Sequence, residues 1–190
     1  MAKCNGCGSR IMFGGVTHEG QEYCNPQCVQ FAYFKIVRDA IPESAVAEEA
    51  IAVHAGACPQ CGGHGPVDFH ASHFVWSAIL ITRSTSKSTL SCRGCARKKQ
   101  AVSALGSGFV GWWGIPFGLI MTPVQIVKNI AEMTGGPDAR KPSPKLHQFV
   151  RDEMAIQAMR DARQRSDAMA KDMEAMDAKL EELMDEEEAR

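Results

Sequence analysis

Along the C-terminal part of the chain, apolar residues recur at helical spacing. Met169, Met173, Met176, Leu180 and Met184 are separated by four, three, four and four positions, with Leu183 also in reach. The pattern predicts one long helix that opens at Ser143 as cap and Pro144 as first residue. Its seam is thin, since upstream positions are Ser166, Ala162, Met159 and Ala155 and only about two heptads are well formed. A shorter stripe of Val124, Val127, Ile130 and Ala131 predicts a helix capped by Thr122, begun by Pro123 and ended by Gly135-Gly136. His73–Ile81 is β-branched and aromatic and reads as a strand; Thr89–Cys92 returns beside it, with Thr82–Ser88 as a polar, flexible tip. Near the N-terminus, Ile11–Phe13 reads as a strand, Gly14-Gly15 as a break and Glu22-Tyr23 as the return. Asn25-Pro26 then opens a helix that carries Cys28, Phe31, Phe34 and Ile36 towards a small core. A further helix spans about Pro42–His54 and stops at Gly56.

Between these elements, Gln100–Val127 runs for 28 residues without a formal charge. Gly114-Ile115-Pro116 is a natural bend, and each arm beside it is about 19 Å long as a helix, too short for a ~30 Å hydrocarbon core. Arg97, Lys98 and Lys99 precede the segment and Lys128, Arg140, Lys141 and Lys145 follow it. Positive charge on both sides suits a re-entrant or interfacial hairpin better than a single crossing. Phe109, Trp112, Trp113, Ile115, Pro116 and Phe117 are the residues expected to meet lipid. The other reading is a buried core hairpin or a dimerising face.

The eight cysteines fall in four close pairs: Cys4/Cys7, Cys24/Cys28, Cys58/Cys61 and Cys92/Cys95. Two thiolates on one tight turn reach one metal, and two such pairs complete a tetrahedron. Taken in order, Cys4, Cys7, Cys24 and Cys28 hold one Zn2+, and Cys58, Cys61, Cys92 and Cys95 hold a second. An interleaved cross-brace and disulfides are the alternatives. The N-terminal segment lacks the pattern of a secretory signal, so a reducing cytosol is expected for these thiols. A four-thiolate shell leaves no position for water, and with every thiol engaged an enzyme is not expected. His54, His64, His70 and His73 near the second group read as surface or supporting residues.

The formal net charge of −1 conceals a division. Residues 1–150 carry 14 Lys/Arg against 9 Asp/Glu, and residues 151–190 carry 7 against 13. No acidic residue occurs between Asp68 and Glu132, a stretch that includes Arg93, Arg97, Lys98 and Lys99. These four are candidates for an anionic partner, either lipid headgroups or nucleic acid. Six of the ten methionines lie in the acidic tail, where their pliable side chains suit self-association or a partner groove.

Gly111-Trp112-Trp113-Gly114-Ile115-Pro116-Phe117-Gly118, Thr122-Pro123 and Asn129 follow a CxxC…CxxC segment. In this, residues 58–133 resemble an uncharacterised bacterial group that joins such a ribbon to a Gly-Trp-Trp-Gly-x-Pro apolar stretch. The resemblance implies architecture and membrane residence, not a reaction. The expected fold is α+β, built from small zinc-stabilised modules. A treble-clef-like unit with trailing helices (1–56) and a zinc ribbon (57–100) precede an apolar hairpin with a short helix (101–134). A linker (135–145) and a long acidic, Met-rich helix (146–190) follow. The expected function is a non-enzymatic scaffold or adaptor on the cytoplasmic side of a membrane, with 146–190 binding a protein partner or another copy. The alternative is a soluble zinc-ribbon nucleic-acid binder.

Overall fold

The computed structural model describes residues 2–78, 81–113 and 117–188 and has an α+β architecture of two β-hairpins and five α-helices. These divide into two units, Met1–Pro42 with Arg151–Arg190, and Glu43–Val150.

In the first unit, β1 (Val16–His18) pairs antiparallel with β2 (Gln21–Tyr23), His18 opposite Gln21. Glu19 and Gly20 link them with φ of 49° and 74°, the mirror-image turn whose twist suits two antiparallel strands. The strand expected at Ile11–Phe13 is not formed. Gly14 and Gly15, both at positive φ, turn the chain out of an extended path just after it, and Phe13 is 93% exposed. Helix α1 (Pro26–Ala40) begins as expected: Asn25 Oδ1 accepts the Cys28 N–H at 2.9 Å and Pro26 fills the first turn. Its expected core stripe does not bury, and Phe31 and Ile36 stay exposed. The buried apolar side chains described in this unit are only Cys4, Tyr23 and Ala155, so among the described residues no buried apolar layer receives them.

In the second unit, α2 (Glu43–Ala55) buries Val46, Ala50 and His54, one helical stripe. Strands β3 (Val67–Ala78) and β4 (Ile81–Cys92) pair along their whole length, from Val67 opposite Cys92 to Ala78 opposite Ile81. The strand thus starts six residues earlier than expected, and Thr82–Ser88 is ladder rather than tip. Its polar residues include β-branched Thr82 and Thr85, and continuous pairing satisfies the backbone that a loop would leave to water. Ile79 and Leu80, the remainder of the expected strand, lie outside the described residues.

Helix α3 (Arg93–Val110), a 3₁₀ turn at Gly111–Trp113 and α4 (Phe117–Gly135) form a helical hairpin. The bend expected at Gly114–Pro116 lies outside the described residues. Thr122 and Pro123 do not open α4 but sit inside it. Thr122 is fully buried against Gly111, where a Cβ would lie 2.2 Å from Thr122 Oγ1. This close approach holds the helix through a proline that would otherwise read as its start. Helix α5 (Pro144–Glu188) begins at the expected cap: Ser143 Oγ accepts the Leu146 N–H. Ser143 in turn gives its backbone N–H and its hydroxyl to the two carboxylate oxygens of buried Asp68.

The helical hairpin is placed by the sheet's open edge. With β4 on one side only, β3 turns unpaired peptide groups to the other. Gln100 Nε2 donates to Ala71 C=O at 2.8 Å. Asn129 Oδ1 accepts the His73 N–H at 2.8 Å while its Nδ2 donates to His73 C=O. Ser107 Oγ accepts the Val75 N–H at 3.0 Å. All three side chains are buried, and together they stand in for a third strand.

Asn129→Leu keeps the branched shape but strands both His73 backbone groups. It should lower stability by about 3 kcal/mol, read as a fall in the urea midpoint at unchanged slope.

Candidate metal centres

The two cysteine groups are built on one plan. In the first, a tight turn closes through Gly8 N–H to Cys4 C=O and Cys4 N–H to Ser9 C=O, both at 2.9 Å. In the second, Gly62 N–H bonds to Cys58 C=O and Cys58 N–H to Gly63 C=O, at 2.8 and 2.9 Å. A β-hairpin follows each turn, and a helix follows each hairpin. Cys28 is the third residue of α1 and Cys95 the third residue of α3. Cys92 is itself the cap of α3, whereas Asn25 intervenes between Cys24 and α1. That one residue explains why one pair has three residues between its cysteines and the other two.

Within each group the four sulfurs lie within 4.8 Å of one another. Cys4, Cys7, Cys24 and Cys28 come together, as do Cys58, Cys61, Cys92 and Cys95, so the grouping follows chain order rather than a cross-brace. All eight are free thiols. Cys7 and Cys24 Sγ are 3.7 Å apart, and Cys61 and Cys92 Sγ 3.9 Å. A tetrahedron with metal–sulfur bonds of ~2.3 Å has an edge of ~3.8 Å. Each group could therefore hold a metal ion in a shell of four sulfurs. Exposure repeats too: Cys4 and Cys58 are buried, Cys7 and Cys61 exposed, and the rest intermediate.

The sulfurs differ sharply in acidity. The backbone N–H of Cys7, helped by those of Cys24 and Gly6, draws Cys4 down to about 6 against the effect of its burial. Burial pushes Cys58 up, but the N–H groups of Cys92, Gln60 and Cys61 outweigh it and hold the thiol at about 6. Three of these are plain in the geometry, Cys24 N to Cys4 Sγ at 3.3 Å, Cys92 N to Cys58 Sγ at 3.2 Å and Gln60 N to Cys58 Sγ at 3.4 Å. Cys7 is lowered by the Ser9 hydroxyl and N–H. Cys24 is pushed up to about 12, chiefly by its hydrogen bond to Cys4, and Cys95 to about 12 by bonds to Cys61 and Cys92. Burial raises Cys28. In each group one sulfur, Cys4 or Cys58, is thus drawn towards the thiolate form while another, Cys24 or Cys95, is held protonated by its neighbours, and a divalent ion relieves that opposition.

The other expected site residues are more scattered. Arg93 lines a water-sized cavity with His54, Asp68 and His70. Arg97 and Lys98 are exposed, and Lys99 Nζ donates to Thr89 Oγ1 at 2.6 Å. Phe109 is 79% and Trp113 72% exposed, Trp112 is also exposed, and Trp113 Nε1 donates to Phe109 C=O. Ile115 and Pro116 lie outside the described residues, and Phe117 opens α4. His54 and His70 are interior rather than surface residues. His54 sits between Val67 C=O and Ala139 C=O, 3.7 Å from Asp68 Oδ2. The Asp68–Ser143 pair and the edge partners Gln100 and Ser107 carry no motif that sequence reading would single out. Searches of protein families, curated proteins and solved structures give no match for this chain, so the likeness drawn from Gly111–Gly118 rests on those residues alone.

Titration of the metal-free chain with Co2+ should give thiolate charge-transfer absorption that saturates at two equivalents. Cys28→Ser and Cys95→Ser should each remove one. Because Cys24 and Cys95 sit near 12 without metal, both are protonated at neutral pH and loading must expel their protons. Affinity should therefore rise with pH and weaken on acidification, with proton release measurable in dilute buffer.

Proposed function

We propose that this chain is a non-enzymatic, zinc-stabilised scaffold on the cytoplasmic side of a membrane. It attaches by the outer face of the α3–α4 hairpin and offers α5 as an arm for protein interaction. The observation that carries the reading is the hairpin's inverted polarity. Gln100, Ser107, Thr122, Gln125 and Asn129 are buried, whereas Leu105, Phe109, Leu119, Ile120 and Val127 are exposed. In water a helix hides its apolar stripe, and an exposed apolar face of this extent marks an interaction surface. No described helix is long and apolar enough to cross a membrane. Exposed Lys98 and Lys128 and the adjoining tryptophans supply the charges and rings that favour the headgroup region.

Zinc is supported by the all-thiolate donor set and tetrahedral spacing. The turn–hairpin–helix order supports a treble-clef-like reading of the first centre and extends it to the second, for which a zinc ribbon is the reading from sequence. A closed shell of four sulfurs keeps no position for a reacting water, in line with a structural role. The nucleic-acid alternative is less well supported, because Arg93 shares a cavity with Asp68 and Lys99 rests on Thr89.

The metal-loaded chain should float with vesicles of mixed neutral and anionic lipid. Leu105→Asp, Phe109→Asp and Ile120→Asp combined should cut the bound fraction about tenfold or more without changing metal content. Equal binding by the triple variant, or a monodisperse chain that leaves vesicles bare, overturns the reading; salt-sensitive DNA or RNA binding without vesicle affinity favours the alternative.

A further inference from the structure

The first unit contains an open groove of about 550 Å³ between α1 and α5. Phe31 and Phe34, stacked with ring centroids 6.5 Å apart, line it with Ile156, Met159 and the exposed Arg160 and Arg163. We propose that a second copy of the chain fills this groove with the distal half of its own α5, running antiparallel. The two chains would then cover each other's groove about a two-fold axis. The inference rests on the reading of α5 as an interaction arm and names what that arm holds.

Charge selects both the occupant and its direction. Residues 144–165 of α5 carry five Lys/Arg against three Asp/Glu, and residues 166–188 carry two lysines against ten acids. Parallel pairing would lay acid on acid, whereas antiparallel pairing lays the acidic half over Arg160 and Arg163. The same half carries the apolar teeth the groove lacks. Met169, Met173 and Met176 are all exposed and spaced four and three apart, on one helical face. Thioethers adapt to irregular aromatic floors and gain from contact with the rings. Geometry closes on itself as well. With Met173 over the Ile156–Met159 stretch, the helices cross near Ser166, which is the midpoint of Pro144–Glu188. One register therefore serves both grooves, as an isologous interface requires.

The test uses the full, metal-loaded chain in mild detergent, which screens the α3–α4 hairpin. Isotopically light and heavy chains are mixed, each with Met173→benzoylphenylalanine, and photolysed. Crosslinks joining light to heavy chains, from position 173 to Phe31–Phe34 or Ile156–Met159, are the expected result, with a dimer by sedimentation. Arg160→Glu with Arg163→Glu lies on exposed residues and should weaken the dimer about tenfold or more, with helicity and vesicle flotation unchanged. Crosslinks joining 173 only to the same region of the second copy overturn the antiparallel groove, as does a dimer indifferent to the arginine reversal. If the same photolysis in cells yields crosslinks only to unrelated proteins, the second copy is overturned as occupant while α5 remains an interaction arm. A monomer without crosslinks in either setting overturns both.

Discussion

A two-stranded sheet has no interior strand, and β3 illustrates what that demands. Its outward peptide groups at Ala71, His73 and Val75 need partners once helices cover them, because a buried, unpaired amide costs about as much as a single domain can spare. The chain meets the demand with an amide, a hydroxyl and a second amide from α3 and α4. Fixing those polar groups inward rotates the opposite faces of both helices outward, and those faces are apolar. The exposed hydrophobic surface of the hairpin is thus a direct result of how the strand edge is completed.

Local chemistry was the legible part of this sequence. Asn25-Pro26 and Ser143-Pro144 start helices because cap and first-turn proline act within three residues of each other. The cysteine pairs likewise declare themselves by spacing, and their grouping in chain order follows from a hairpin placed inside each loop. What escaped the reading depends on partners far along the chain. Gln100, Ser107 and Asn129 reach residues 29 to 56 positions away, and no periodicity records such a bond. Thr122-Pro123 misleads for the same reason: its local signature is that of a helix start, while the deciding contact is with Gly111. The serine- and threonine-rich run of β4 looks like a loop until its partner strand is known.

The likeness of the two cysteine groups reaches beyond the count of ligands. In both, one buried sulfur receives the N–H of the third cysteine in chain order, and the fourth sits in the first turn of a helix. The first unit buries few apolar side chains among its described residues, and closing its sulfurs on an ion would supply folding energy directly. The second adds a long sheet and a covered edge.

The distribution of indoles gives this molecule a built-in reporter. Trp76, Trp112 and Trp113 are the three tryptophans, and all belong to the unit that spans Glu43–Val150. Each is at least partly open to its surroundings. The tryptophan emission of the chain therefore originates at or beside the helical hairpin. A blue shift or quenching of that emission registers what this surface touches.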